Sequence, residues 1–308
     1  MTVLTRIRPK AAAMTTSAMT TSAARAFRSV ALILGVGLGL LAADMDRARA
    51  AEGAVHPPRE SWSFWGPLGH YEPAQLQRGF KIYKEVCSSC HALSMVAFRN
   101  LADKGGLAFT EDQAKTIAAE YKVKDLQPDD KGEFPERAGR LSDYFPSPFP
   151  NEEAARAVNG GAYPPDFSTL AKARTYERGF PWFLVDIFGQ YQEHGQDYIH
   201  ALLNGYEEPA HGEKPPRPGL HYNKYFPNHW IAMAKPLSDG QVDYTDGTPT
   251  TVDQYSRDIT AFMTWAAEPH LMARKQLGLT VMFFLIVFAG LLYFTKKSVW
   301  RGWKPDTA

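Results

Sequence analysis

The 308-residue chain has only two cysteines and almost no excess charge of either sign, with 34 Lys+Arg against 33 Asp+Glu. Two cysteines cannot staple a disulfide-built scaffold, and a balanced chain without a polybasic run is no nucleic-acid binder. It also lacks an internal repeat and a phosphate-binding glycine loop, which removes solenoids and nucleotide-triphosphate binders of the P-loop kind. What is present is 44% hydrophobic and 13% aromatic residue content with 24 Gly and 22 Pro, which excludes a disordered tail protein. The length allows one or two domains, and the Pro, Gly and aromatic content points to a loop-rich fold rather than a plain helix bundle.

Both ends of the chain address a membrane. Residues 1–28 carry Arg6, Arg8, Lys10, Arg25 and Arg28 without an acid, Val30–Ala43 is an apolar run of 14 residues, and Ala48-Arg49-Ala50 follows. Charged leader, short apolar core and small-residue site describe an export signal over 1–50, cleaved near Ala50; the acid-free Ala/Ser/Thr/Arg leader would also suit a mitochondrial presequence. At the other end Gln276–Thr295 is 20 residues without a charge. At about 1.5 Å rise per residue it covers a hydrocarbon core of roughly 30 Å, so it is expected to be a single transmembrane helix. Lys296, Lys297, Arg301 and Lys304 follow it, against Arg274 and Lys275 before it. The positive-inside rule then puts the 296–308 tail in the cytoplasm and the 51–270 domain outside. Residues 1–50 hold seven basic and two acidic residues and the tail four basic residues and Asp306, which leaves 23 basic and 30 acidic between them, about −7. Such a field favours a cationic partner and repels nucleic acid.

Both cysteines lie in Cys87-Ser88-Ser89-Cys90-His91. A disulfide, a redox dithiol or half a zinc site would not need the adjacent histidine; zinc would want further ligands at matched spacing, and no cysteines remain to supply them. A thioredoxin-like site would want alternating strands and helices, whereas Pro73–Val86 reads as one amphipathic helix. A covalent c-type haem uses all three residues: two thiols add across the vinyl groups, and the next imidazole binds the iron from the same side. Cys87, Cys90 and His91 are therefore the expected haem attachments and proximal ligand.

A sixth ligand separates an electron carrier from a haem enzyme or gas sensor. Met95, one turn past His91, sits on the ligand's own side. Met263 falls in an expected helix, Val252–Glu268, as core filler, and Met272 and Met282 belong to the membrane approach and span. Met233, in a short apolar stretch closed by Pro236, is left modestly ahead of a packing role on spacing, while His194, His200, His211, His221 and His229 stay open.

Extended, these segments resemble the cytochrome c1 family: Val86 to Ser94 around the pentad, Asn159 to Ser168, Asp197-Tyr198 with Leu203 to Tyr206, Tyr225-Phe226-Pro227, Ile231 to Ala234, and Thr264 to Pro269 leading through Arg274-Lys275 into one C-terminal span. The resemblance runs in order from about residue 60 to 304. It implies Met233 as sixth ligand, closing the iron and raising its potential. It further implies Arg174 and Tyr198 on the haem propionates and Pro164-Pro165 as a stiff wall, with Phe167 where the family more often has Leu. Between Arg174 and Tyr198 the chain, with Phe180 to Phe183 and His194, is longer than in mitochondrial members.

The fold expected is mostly α, a class I cytochrome c-like haem domain with long loops plus one C-terminal transmembrane helix. Thr110 to Gln113 opens a helix to Tyr121 as a capping box, Asn151 opens another, and 127–150 and 207–220 read as loops. The resemblance implies an electron carrier, not an enzyme on its own, in a dimeric bc1 complex. Its partners would be cytochrome b, the Rieske iron-sulfur protein as donor and a soluble or membrane-anchored cytochrome c as acceptor. The expected place is a bacterial inner membrane with the haem domain in the periplasm, the mitochondrial inner membrane being the alternative. Asp129-Asp130, Glu152-Glu153 and Glu207-Glu208 are solvated faces, or guides for a basic acceptor. Another membrane-anchored c-type carrier, serving a terminal oxidase or nitrogen-oxide reductase, shares haem and anchor and differs only in the succession of motifs.

Overall fold

The computed structural model describes residues 55–125, 127–176, 186, 194–209 and 212–302. The expected export signal, the Phe180–Phe183 stretch, His211 and the last six residues lie outside them.

Seven α-helices appear in chain order among the described residues: α1 Pro73–Glu85, α2 Glu111–Ala119, α3 Glu152–Val158, the single turn α4 Leu170–Ala173, α5 Gly195–Asn204, α6 Val252–Ala267 and α7 Leu271–Val299. α1 starts with Pro73 in its first turn, where the missing N–H costs nothing, and buries Leu76, Gly79, Phe80, Ile82 and Tyr83 at helical spacing. α2 opens on the expected capping box, Thr110 accepting from Gln113 N while Gln113 Oε1 accepts from Thr110 N. It ends at Ala119 rather than Tyr121, because the next residues turn into a strand. Asn151 caps α3 and Thr251 caps α6 in the same way, each accepting from the N–H three residues on.

The centre of the domain is α1 packed against α6. Gly79 makes this possible: a Cβ built there would lie 2.1 Å from the Asp258 carbonyl oxygen and 2.7 Å from Phe262 Cβ. Around the contact Phe80, Tyr83 and Phe262 stack at 5.7–5.8 Å, and Trp265, Tyr255 and Ile259 of α6 are fully buried or nearly so. Met263, 2% exposed, is core filler as expected. The only charge sunk in this contact is Asp258, wholly buried, which takes Arg78 Nε at 2.8 Å, Tyr244 Oη at 2.9 Å and Gln254 Nε2 at 2.9 Å. With every oxygen satisfied the buried carboxylate is tolerated.

Sheet is scarce. Strand β1 (Lys122–Lys124) pairs antiparallel with β2 (Glu136–Ala138), Val123 opposite Arg137, and β3 (His221–Tyr222) pairs with β4 (Trp230–Ile231). The 127–150 segment is thus not all loop. Val123 is flanked by outward-facing lysines in an exposed two-strand ribbon, too short to register as periodicity. α7 extends past both ends of the expected 276–295 span, buries no residue, and is long and apolar enough to cross a membrane.

Candidate haem-binding site

The pentad follows directly from the end of α1. Val86 N donates back to Ile82 O, and the chain then tightens into a 3-10 turn over Cys87–Ser89, with Cys90 N and His91 N both donating to Cys87 O at 3.1 and 2.9 Å. Cys87, Cys90 and His91 are thereby gathered in one turn, the two thiols unbridged and half-buried. Burial, and then the neighbouring Cys90, push the Cys87 thiol up to about 12. A redox dithiol has its reactive thiol shifted the other way, so the environment opposes that reading.

The His91 ring is held on two sides. Its Nδ1 is 2.8 Å from Pro165 O. A prolyl carbonyl only accepts, so Nδ1 carries the proton and Nε2 keeps its lone pair, as an iron ligand requires. Burial above all lowers the imidazole's pKa, against the opposing pull of the Pro165 carbonyl and Asp166, which keeps the ring neutral. Phe167 stacks on it with centroids 4.4 Å apart.

The segment supplying Pro165 and Phe167 is stitched to the residues after the pentad. Phe167 N donates to Ala92 O at 2.9 Å, Ser94 N and Oγ donate to Asp166 Oδ2 at 3.1 and 2.5 Å, and Met95 N donates to Ser168 Oγ at 3.0 Å. Burial pushes the Asp166 carboxyl up, but its bonds from Ser168 and Ser94 outweigh this and hold it below the usual range. These partners lie more than 70 residues apart in sequence, and nothing local announces them. Met95 itself is 67% exposed and turned to solvent.

A second group gathers around Met233. The strand pair β3–β4 is closed by a turn in which Asn228 and His229 adopt φ of 60° and 62°. A left-handed histidine is uncommon, and here it is held: its N–H donates to Phe226 O, its carbonyl accepts from Asn223 N, its Nδ1 faces Lys224 O at 3.0 Å and its ring stacks on Tyr222. The turn launches Trp230 and Ile231 into the half-buried Met233, whose carbonyl accepts from Tyr206 Oη at 3.0 Å. Tyr206 was not singled out for this role from sequence; its signal was only the Leu203–Tyr206 motif. Burial pushes its phenol up, with Tyr198 adding to the shift. Tyr198, half-buried on α5, is likewise raised by burial and drawn back by Arg174, the exposed residue that ends α4.

The structure therefore assembles the expected residues as two groups, Cys87, Cys90, His91 and Pro165 in one, Met233, Tyr198 and Arg174 in the other. Both border the same core cluster, through Cys87 and Phe167 on one side and Tyr198 on the other. The donor set suits a haem: two unbridged thiols and a neutral imidazole in one turn, a thioether on a braced segment just past β4, a phenol and a guanidinium for carboxylates. Two of the other candidate histidines are occupied elsewhere and a third is exposed. His194 Nδ1 meets Tyr176 O at 2.8 Å, His200 Nε2 meets Asp253 at 3.0 Å, and His221 is exposed on β3.

The sequence model described as the Cytochrome C1 family matches residues 62–303. "Cytochrome b/c1" of Bradyrhizobium diazoefficiens is 56% identical over 276 residues, which is 90% of this chain but 40% of that longer protein. "Cytochrome c1" of Blastochloris viridis is 48% identical over 280 residues, 91% of this chain and 97% of that one. "Cytochrome c1, heme protein, mitochondrial" of Saccharomyces cerevisiae is 42% identical over 256 residues, 83% of this chain and 75% of that one.

Proposed function

The chain belongs to the cytochrome c1 family of haem c electron carriers, and we propose that it is the membrane-anchored cytochrome subunit of a bc1 complex. It would take single electrons from a Rieske iron-sulfur protein and pass them to a soluble or membrane-anchored cytochrome c. Cytochrome b would be its neighbour in a dimeric complex, and quinol oxidation would belong to those partners. The bound haem supplies a one-electron ferric/ferrous couple.

Everything else falls to the chain's own side chains. Cys87 and Cys90 would hold the macrocycle, and His91 would supply its Nε2 to the iron in the tautomer that the Pro165 carbonyl enforces, the single observation that carries this reading. Met233 would be the second iron ligand; a thioether favours ferrous iron, and a second protein ligand would leave small molecules no open site. Arg174 and Tyr198 pair with the propionates, and Pro165 walls the edge. No substrate bond is made or broken, so on its own the chain is a carrier and not an enzyme.

The anchor is α7, with residues 1–50 as the cleaved export signal, 51–270 as the exported domain, 276–295 as the span and 296–308 as the basic tail. The basic flank supports a cytoplasmic C-terminus and a periplasmic haem domain in a bacterial inner membrane. Of the acidic clusters, Asp129 is spent on a turn, accepting from Lys131 N and Glu133 N at 2.9 Å, and Glu152 pairs with Arg156 at 2.6 Å. Glu207 and Glu208 are exposed and follow Tyr206, whose hydroxyl holds the Met233 carbonyl, and there they would guide a basic acceptor toward the haem edge.

The test is carbon monoxide binding to the reduced protein. Wild type is expected to exclude it and Met233→Ala to bind it, with a lowered midpoint potential; binding by wild type would overturn Met233 ligation. Placement in the complex is checked by purifying through this chain: reduction of the haem by quinol should require co-purified b haem and Rieske centre and stop with an inhibitor of quinol oxidation.

A further inference from the structure

The two segments that meet beside His91 are fastened by one carboxylate. Ala92 to Met95 leave the pentad, Pro165 to Ser168 arrive from far along the chain, and Asp166 is the only acidic or basic residue among these eight. Its Oδ2 accepts from Ser94 N at 3.1 Å and Ser94 Oγ at 2.5 Å, and its Oδ1 accepts from Ser168 N at 2.7 Å. Both oxygens are thus spent on the seam, and a carboxylate takes such bonds more strongly than a neutral acceptor does. Beside it Phe167 N donates to Ala92 O at 2.9 Å and Met95 N to Ser168 Oγ at 3.0 Å.

This clasp bears on His91 through a single peptide plane. The Pro165 carbonyl oxygen that takes the His91 Nδ1 proton at 2.8 Å belongs to the peptide bond joining Pro165 to Asp166, so it lies in one rigid plane with the Asp166 Cα. The Pro165 ring fixes φ on the near side. The plane could still rock about ψ of Pro165 and φ of Asp166, and an Asp166 side chain tied at both oxygens resists that rocking.

We propose that Asp166 is a positioning residue for the haem iron's histidine: it sets how firmly the Pro165 carbonyl draws on the His91 Nδ1 proton and, through that bond, the reduction potential. A firm bond makes the imidazole a stronger base toward iron and favours the ferric state, whereas a slack one favours the ferrous state. Asp166 therefore works against the thioether of Met233, and the potential is the balance of the two. The inference rests on the reading of His91 as iron ligand and needs no partner protein.

Full-length, haem-loaded protein in mild detergent is compared with Asp166→Asn, Ser94→Ala and the double variant by redox titration. Solvent exchange of the His91 Nδ1 proton is followed by NMR of the reduced protein carrying nitrogen-15 histidine. Asparagine keeps the shape, loses the charge and offers one acceptor oxygen in place of two, while Ser94→Ala removes one bond and leaves the charge. The equilibrium should shift toward ferrous iron about fourfold in Asp166→Asn and about twofold in Ser94→Ala, rises of about 35 and about 18 mV at 59 mV per tenfold. The Nδ1 proton should exchange about tenfold and about threefold faster, and the double variant should go no further than Asp166→Asn, because both act through one clasp.

Unchanged potential and exchange in the single variants, with the low-spin spectrum intact, would overturn the proposal. So would a rise in Asp166→Asn alone, with Ser94→Ala as wild type in both readouts, since a bare charge then accounts for it. If Asp166→Asn fails to take up haem, the same two readouts on Ser94→Ala decide. A wild type without the low-spin spectrum of an axially ligated haem c would overturn the reading of His91 itself, and this proposal with it.

Discussion

At the residue scale the two proposed haem ligands depend on two backbone carbonyls. The Pro165 carbonyl holds His91 from outside the pentad, and a proline is a fitting source because its fixed φ stiffens the segment that presents the oxygen. The Met233 carbonyl is in turn held by Tyr206. Tyr206→Phe is expected to loosen the Met233 segment by the worth of one hydrogen bond, about 1 kcal/mol. A weaker thioether bond disfavours ferrous iron, so the midpoint potential should fall by up to about 40 mV. The near-infrared methionine-to-iron band should weaken with it, and redox titration with absorption spectroscopy measures both. Cys87 and Cys90 announce themselves because covalent attachment needs fixed spacing. Tyr206 does not, because its partner is 27 residues away and any phenol in a motif reads alike.

The elements succeed or fail by how closely they pack. At the α1–α6 contact Gly79→Ala would drive a methyl group into the Asp258 carbonyl, which belongs to backbone and cannot swing aside. Overpacking of this kind costs about 1–3 kcal/mol and should appear as a lowered Tm with the haem spectrum retained. A second expectation concerns α5. His200 is buried beside Arg257, and these two effects, burial first, outweigh the carboxylates of Asp253 and Glu60 and lower its pKa. The unfolded chain then takes up the proton before the folded one does. Stability is complete above the ordinary value of 6.5 and is lost as the pH falls through the depressed folded value. Thermal unfolding between about pH 7.5 and pH 5.5 should show that slope, and His200→Gln should flatten it.

For the whole molecule, anchor and haem domain divide the work. α7 buries no residue, and it meets the domain's core through Leu271 and Met272 of its first turn. Truncation after Lys275, keeping the bonds to Phe64 and Gly69, is expected to move the chain from the membrane to the soluble fraction with an unchanged haem spectrum, as fractionation by ultracentrifugation would show. Residues 51–295 carry 23 basic against 30 acidic residues, and the exposed Glu207 and Glu208 follow Tyr206, whose hydroxyl holds the Met233 carbonyl. Electron transfer to a basic cytochrome c should therefore slow as salt rises from about 0.05 to 0.5 M, and stopped-flow kinetics would reveal it; a flat rate removes those residues from docking.

The pentad, the apolar span, the capping box at Thr110, the amphipathic helix α1 and the helix α6 are all legible in the sequence. Each is a local pattern, set by covalent chemistry, hydrocarbon thickness or helical period within a few turns. The order of motifs also carried the family. Tertiary structure alone decided which carbonyl orients His91, what braces Met233, and that β1–β2 interrupts an expected loop. Those depend on partners far apart in the chain, brought together by the burial of α1 against α6. A one-dimensional pattern holds each partner separately and carries no measure of the distance between them.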